Sequence, residues 1–128
     1  VVISILNSSL FYYYNWLYTN CRDLSVGAIK LFPINLNNIS QDNISVFKEL
    51  TSKLMTDYKL NSTVYRRVSN NVETKFDSFY PYKSKHIIDK IDKVLAKHYG
   101  FTDEELDYII NYDIKYRMGD TLNGDDND

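Results

Sequence analysis

The sequence predicts a mainly α-helical fold with about five helices and one small β-hairpin. Apolar residues recur at three- and four-residue spacings along most of the chain, which is the period of an amphipathic helix. One stretch, residues 61–82, alternates with a period of two, as strands do. Hydrophobic residues make up 44% and charged residues 25% of the 128 residues, which excludes a disordered or collagen-like chain and favours a single domain.

The first predicted helix covers residues 1–18, where Val2, Ile5, Leu6 and Trp16 follow helical spacing. Aromatic side chains crowd its end, and such side chains can stack on nucleic-acid bases. A consecutive run points around the whole helix, however, and this favours a buried core helix with tyrosines at its wet rim. The aromatic residues are Phe11, Tyr12, Tyr13, Tyr14, Trp16 and Tyr18.

A short turn, an extended piece and a long helix are predicted next. Residues 25–29 form the turn, and residues 31–34 are extended because they contain a proline. Ser40 or Asn38 then caps a helix that ends near Leu60. Its apolar stripe consists of Ile44, Phe47, Leu50, Leu54, Met55 and Tyr58.

The alternating stretch predicts a β-hairpin near residues 63–80, which Pro81 ends. A two-stranded ribbon is only marginally stable by itself, so we expect it to lie on helices or on a sheet outside this chain. The alternating residues are Val64, Arg66 and Val68 before the turn at residues 69–71, and Val72, Thr74 and Phe76 after it.

Two further helices are predicted after the hairpin. Ser84 is a good N-cap for a helix over residues 85–99, with Gly100 at its end. A capping box at residues 102–105 starts the last helix, which Gly119 terminates. The carboxylates there could suggest catalysis, but acidic residues in a first helical turn are stabilised by the helix dipole, which favours capping. They are Asp103, Glu104, Glu105 and Asp107.

The formal net charge of −2 hides a gradient along the chain. Residues 1–65 carry a net charge of +1, residues 66–97 carry +4, and residues 103–128 carry −7. Electrostatic partners respond to such local patches more than to the total. The tail, residues 120–128, is predicted to be disordered, and its four aspartates would be repelled by phosphates.

The residues that most catalytic sites require are missing. Cys21 is the only cysteine, so the chain can form neither an internal disulfide nor a thiolate zinc cage. His86 and His98 do not have the spacing of a helical metal site, which favours structural or solvent-facing roles. No glycine-rich loop suggests a nucleotide site. We expect no catalytic residue, metal or cofactor site in this chain.

The beginning of the chain, Val-Val-Ile, lacks a methionine and a basic leader, so we interpret it as a cut end and not as a signal peptide. Polar residues interrupt the apolar stretch that follows, which falls short of the roughly 20 apolar residues that cross a bilayer. We therefore expect a soluble cytoplasmic protein with no membrane partner.

Two stretches resemble the carboxyl-terminal part of large bacterial restriction-modification DNA methyltransferases, which are adenine-specific and in some cases fused to a nuclease. The more specific match is residues 84–119, which read SKHIIDKIDKVLAKHYGFTDEELDYIINYDIKYRMG. The opening, ILNSSLFYYYNWLYTNCRDL with LFPI after it, is similar to the end of their target-recognition domain and also resembles specificity subunits of multi-subunit systems.

The resemblance implies that residues 1–36 end a target-recognition domain and that residues 37–119 form a carboxyl-terminal helical region. It also implies S-adenosylmethionine as methyl donor and an Asn-Pro-Pro-Tyr motif, but neither adjacent prolines nor a cofactor motif occurs here. The active site would therefore lie upstream. The implied partners are double-stranded DNA and the rest of the parent polypeptide.

Four basic residues are candidate phosphate or base contacts within this interpretation, because a loop arginine and a ribbon with paired arginines can reach a DNA groove. Solvated surface charge remains the alternative for each of them. The candidates are Arg22, Arg66, Arg67 and Lys75.

Two other functions stay open. In the first, the chain is a structural clamp whose apolar faces over residues 87–95 and 106–114 bind the parent polypeptide or a second copy, which would make a homo-oligomer. In the second, it is a free-standing regulator, which a start codon immediately before Val1 would support. Aliphatic content favours the first of these two.

Overall fold

A computed structural model of the chain describes residues 1–119, so the predicted disordered tail, residues 120–128, lies outside the described residues. Within residues 1–119 the chain forms seven α-helices and one two-stranded antiparallel sheet. The helices are α1 (Val2–Leu6), α2 (Ser9–Tyr18), α3 (Val26–Leu31), α4 (Gln41–Leu60), α5 (Lys85–Tyr99), α6 (Asp103–Asn111) and α7 (Ile114–Met118). The strands are β1 (Thr63–Ser69) and β2 (Val72–Ser78), and short 3₁₀ turns cover Leu36–Asn38 and Pro81–Ser84.

The core lies between the two longest helices, α4 and α5, and the shorter helices close around it. Phe47 and Leu54 of α4 and Ile91 and Leu95 of α5 are completely buried. Ser4 of α1 is buried as well, and its hydroxyl donates to the carbonyl oxygen of Phe47 at 3.2 Å. These contacts make residues 1–60 and 84–119 one helical body. Its other buried apolar residues include Ile5, Phe11, Phe32, Leu50, Ile87 and Met118.

The predicted ends of α4 and α5 are confirmed. Ser40 caps α4, because its hydroxyl oxygen accepts from the backbone N–H of Asn43 at 3.2 Å. Gly100 ends α5 in the left-handed conformation, with φ of +71°, which costs glycine little. Ser84 stands at the N-cap position of α5, but its hydroxyl donates to the Asp57 carboxylate at 2.5 Å and so joins the two long helices.

The prediction of one helix over residues 1–18 is wrong, because two helices meet at Asn7 and Ser8. The Ser8 hydroxyl accepts from the N–H of Phe11 at 3.0 Å, so Ser8 caps α2 and does not continue α1. A serine side chain that bonds to the backbone in this way competes with helix propagation. The expected mixture of core and rim is confirmed within α2, since Phe11 is buried and Tyr18 is exposed.

The prediction of one last helix is also wrong, although its capping box is confirmed. Thr102 and Glu105 make both reciprocal hydrogen bonds of the box at the start of α6. The helix then breaks at Tyr112 and Asp113, and Asp113 has a positive φ of 52°. Aspartate tolerates this left-handed conformation better than most residues. The two breaks add two helices, and the stretch predicted as a turn at residues 25–29 lies largely within the helix α3, so residues 1–119 contain seven helices where about five were predicted.

Of the segment predicted to be extended, residues 31–34, Leu31 is helical, whereas Phe32 has the extended backbone angles φ −59° and ψ 124°. Leu31 is the last residue of α3, and the residues that follow belong to no helix or strand. Phe32 is nevertheless buried, and its ring lies edge-on to that of Phe11 with centroids 5.4 Å apart. The segment therefore folds back onto α2.

A buried polar cluster of Asp92, Ser9 and Arg117 joins α2, α5 and α7. Asp92 is 2% exposed on the apolar face of α5, and its Oδ1 accepts from the N–H of Leu10 at 3.3 Å. Arg117 of α7 donates to the hydroxyl of Ser9 at 2.5 Å and to the carbonyl oxygen of Ile110 at 3.2 Å. Burial raises the pKa of Asp92 to about 6, although the Ser9 and Leu10 hydrogen bonds and the charge of Arg117 oppose this.

Asp92→Asn is expected to remove a pH dependence of stability. The folded-state pKa of about 6 exceeds the ordinary value of 3.8, so the folded protein binds this proton more tightly than the unfolded chain. Stability from this group is therefore complete below about pH 4 and is lost as the pH rises through about 6, by about 3 kcal/mol in total. Urea unfolding at both ends of this range measures the loss in the parent chain and in the variant.

The control for this measurement is Asp42→Asn, which changes an exposed carboxylate in α4. It should keep the pH dependence of the parent chain. If Asp92→Asn also kept it, Asp92 would not be the group whose burial lowers stability.

A candidate nucleic-acid interface on the β-ribbon

The ribbon formed by β1 and β2 stands away from the helical body. It leaves the end of α4 and returns through the 3₁₀ turn Pro81–Ser84, and the strands pair from Thr63 with Ser78 to Ser69 with Val72. The turn between them is Asn70-Asn71, and both residues have positive φ, of 51° and 62°. A two-residue hairpin turn of type I′ needs two such residues, and asparagine adopts this conformation readily. The predicted hairpin is thus confirmed.

Both faces of the ribbon are open. The residues of β1 are all exposed, and those of β2 are exposed up to Ser78, which is half-buried. Exposure includes apolar side chains, such as Val68 at 72% and Val64 at 63%. The expected support from helices or from a sheet is therefore not provided by residues 1–119. A two-stranded ribbon without such support is only marginally stable by itself.

The pairing register of the two strands determines on which face of the ribbon each predicted contact residue lies. Arg66 pairs with Lys75 and Arg67 pairs with Thr74. Directly opposed residues share a face and successive residues point to opposite faces, so Arg66 and Lys75 lie on one side and Arg67 on the other. Three of the four candidates thus come together on the ribbon, but not on one surface.

Arg22, the fourth candidate, belongs to the helical body. It is exposed in the loop between α2 and α3, where its N–H donates to the side-chain oxygen of Asn20 at 3.2 Å. Its predicted role in DNA contact stays a prediction.

One side of the ribbon, which we call the mixed-charge face, carries cations and carboxylates together. The Nε of Arg66 lies 3.8 Å from Oε1 of Glu73, which is an exposed ion pair. Such pairs are worth little stability, but they do partly neutralise the arginine. The face consists of Val64, Arg66, Val68, Glu73, Lys75 and Asp77.

The other side, which we call the aromatic face, carries no carboxylate. The rings of Tyr65 and Phe76 stack across the strands with centroids 5.8 Å apart and planes 13° from parallel. Arg67 is the one charged residue beside them. Hydroxyl groups make up most of the remainder. The face consists of Thr63, Tyr65, Arg67, Ser69, Val72, Thr74, Phe76 and Ser78.

Tyr80 and Lys83 extend the aromatic face towards the helical body. The Tyr80 hydroxyl is 2.7 Å from the hydroxyl of Thr63. Hydrogen bonds from Thr63, Tyr65 and Ser78 lower the pKa of the Tyr80 phenol. The Nζ of Lys83 lies over the Tyr80 ring, 5.1 Å from its centroid, which is a cation–π distance. The sequence interpretation missed Tyr80 and Lys83. It also missed Tyr65 and Thr63, although strict alternation from Arg67 leads back to both of them.

The helical body has a concave surface beside the break between α6 and α7. An open cavity of about 500 Å³ is lined there by Trp16, Tyr112, Asp113 and Tyr116. The Tyr12 hydroxyl donates to the Asp113 carboxylate at 2.9 Å. Burial is the larger cause and this hydrogen bond the next of a rise in the Tyr12 pKa to about 12. This hydrogen bond holds the α6–α7 corner on α2, so its evident role is structural.

Comparisons with known proteins leave the family open: no family model, curated protein or solved structure matches the chain. Among residues 1–119, no three His, Cys, Asp or Glu side chains are grouped so that they could hold a metal ion. In the same part of the chain, every helix is too short or too polar to cross a membrane.

Proposed function

We propose that this chain is the carboxyl-terminal, DNA-specificity-associated segment of an adenine-specific DNA methyltransferase of a restriction-modification system, and that its ribbon contacts double-stranded DNA. The resemblance of residues 84–119 supports the family. The observation that supports DNA contact is the ribbon, which is open on both faces and bears Arg66, Arg67 and Lys75. The major groove of DNA admits a two-stranded ribbon of this kind.

The parent polypeptide supplies the chemistry in this proposal. Its S-adenosylmethionine site and its catalytic motif lie outside the 128 residues, and it works in the cytoplasm, where bacterial DNA is. The helical body fixes the orientation of the ribbon. Since α4 and the Pro81–Ser84 turn hold the two ends of the ribbon, the ribbon meets DNA at an angle that the buried core sets.

Arg66→Ala with Arg67→Ala is expected to weaken binding to a short labelled duplex at least about tenfold at low salt, because the loss of one DNA contact costs about 1–3 kcal/mol. The slope of log affinity against log salt should fall by about one for each phosphate contact removed. Fluorescence anisotropy measures both quantities.

The matched control is Lys48→Ala with Lys93→Ala, which removes two charges from exposed positions of α4 and α5. It should keep the affinity and the salt slope of the parent chain. If the arginine variant behaved like this control, the ribbon arginines would not contact DNA.

The family is tested in the reading frame upstream of Val1. An in-frame Asn-Pro-Pro-Tyr motif, preceded by a glycine-containing cofactor loop, is expected there. A start codon close to Val1, or a long upstream region without both motifs, would remove the methyltransferase assignment. It would leave a specificity subunit or an interaction module.

A second candidate function is a structural interaction module, and the exposed apolar side chains of the ribbon favour it. The apolar face of residues 87–95, expected to be free in this role, is instead buried within the body, where Ile87, Ile91 and Leu95 pack. A second copy would therefore dock on the ribbon. Concentration-dependent self-association in sedimentation, without DNA binding at low salt, would identify this function.

A further inference from the structure

We infer that the ribbon presents its aromatic face to double-stranded DNA, and that Arg67, Tyr65, Phe76 and Lys83 form the contact surface. This inference rests on the proposed DNA-binding function and goes beyond it, because it assigns a side to the ribbon. The mixed-charge face then turns away from the DNA.

The two faces of the ribbon differ in formal charge. On the mixed-charge face, Glu73 and Asp77 oppose Arg66 and Lys75, so the formal charge is zero. On the aromatic face, Arg67 is not opposed by any carboxylate, and Lys83 adds a second cation at the base of the ribbon. A phosphate backbone meets two positive charges and no negative charge on this side, whereas the other side would bring two carboxylates against it.

The cations on the aromatic face are spaced along the ribbon. Arg67 lies near the turn and Lys83 lies beyond the last pair of the ladder, beside Tyr80. Four residue steps along β1 separate Arg67 from Thr63 at the base of the ribbon, which is about 13 Å, and Lys83 lies beyond that base. The two cations are thus far enough apart to reach phosphates on either side of a groove, which is about 12 Å wide in B-form DNA.

The middle of the same face offers flat and polar groups between these cations. Tyr65 is 52% exposed and Phe76 is 49% exposed, and their stacked rings form an apolar platform. Apolar side chains contact the thymine methyl group in the major groove, and hydroxyls such as that of Thr74 bond to either base edges or phosphates. Cations at both ends with a neutral platform between them fit a duplex groove.

Two charge-matched variants test the inference in the full chain. Arg67→Ala with Lys83→Ala changes the aromatic face, and Arg66→Ala with Lys75→Ala changes the mixed-charge face; each removes two positive charges. The first pair should weaken binding to a labelled duplex at least about thirtyfold, and the second pair less than about threefold. The body should remain folded in each variant because all four side chains are exposed, and thermal unfolding checks this.

The outcomes separate this inference from the function on which it rests. A larger loss from the aromatic-face pair, with a salt slope reduced by about two, supports the inference. An equal or larger loss from the mixed-charge pair overturns it and leaves DNA binding by the ribbon intact. If neither pair weakens binding, or if only single-stranded nucleic acid is bound, both the inference and the proposed function fail.

Discussion

Removal of the ribbon should greatly weaken DNA binding and leave the helical body folded. When residues 63–78 are replaced by a two-glycine link, the chain loses three cations and the aromatic platform together, and its affinity for a duplex should fall about a hundredfold. The body should keep its unfolding temperature within about 3 °C, because nearly all ribbon side chains are exposed and contribute little to its core. Anisotropy and thermal unfolding measure the two effects.

The link is sterically possible because Thr63 and Ser78 are paired neighbours at the base of the ribbon. A variant that keeps the ribbon but has threonine at Arg66, Arg67 and Lys75 separates the loss of charge from the loss of shape. Retention of full DNA affinity after removal of the ribbon would place the contact surface elsewhere. Unfolding of the body would show that the ribbon is part of the core.

Leu54→Ala should destabilise the fold by about 2–5 kcal/mol, since it leaves a cavity where α4 meets α5. Leu54 is 0% exposed, whereas Leu60 on the same helix is 79% exposed. Leu60→Ala removes the same atoms from a solvated position and should change the free energy of unfolding by less than about 0.5 kcal/mol. Urea denaturation of both variants gives the two values.

A total stability of about 5–15 kcal/mol is usual for a domain, so the buried change should remove a large part of it. Equal effects at Leu54 and Leu60 would contradict the assignment of the α4–α5 contact as the centre of the core.

The long helices were predictable because their signals are redundant. In α4 the Ser40 cap, the stripe through Phe47 and Leu54, and the change of period after Leu60 all indicate the same bounds. The alternation and the paired asparagines likewise predicted the ribbon. Where several local signals agree, they determine the bounds of a helix or strand, and tertiary contacts change those bounds little.

The breaks at Ser8 and Asp113 could not be predicted, because each depends on one side chain's choice of partner. A serine within a helical pattern can face solvent or cap a new helix, and periodicity does not distinguish the two. The burial of Asp92 was equally hidden, since its partners Leu10 and Arg117 are distant in sequence. The assignment of Arg66 and Arg67 to opposite faces needed only the alternation, so the sequence contained that part of the candidate site.

The pairing of Thr63 with Ser78 has an evolutionary consequence. A segment that starts and ends at neighbouring points, and whose side chains are nearly all outside the core, can vary under selection without a penalty in folding. Substitutions within residues 63–78 would leave the core intact, while the helices accumulate changes at the slower pace that packing permits. Homologues with divergent ribbons on one conserved body, or natural exchanges of the ribbon as a cassette, are the expected trace of this separation.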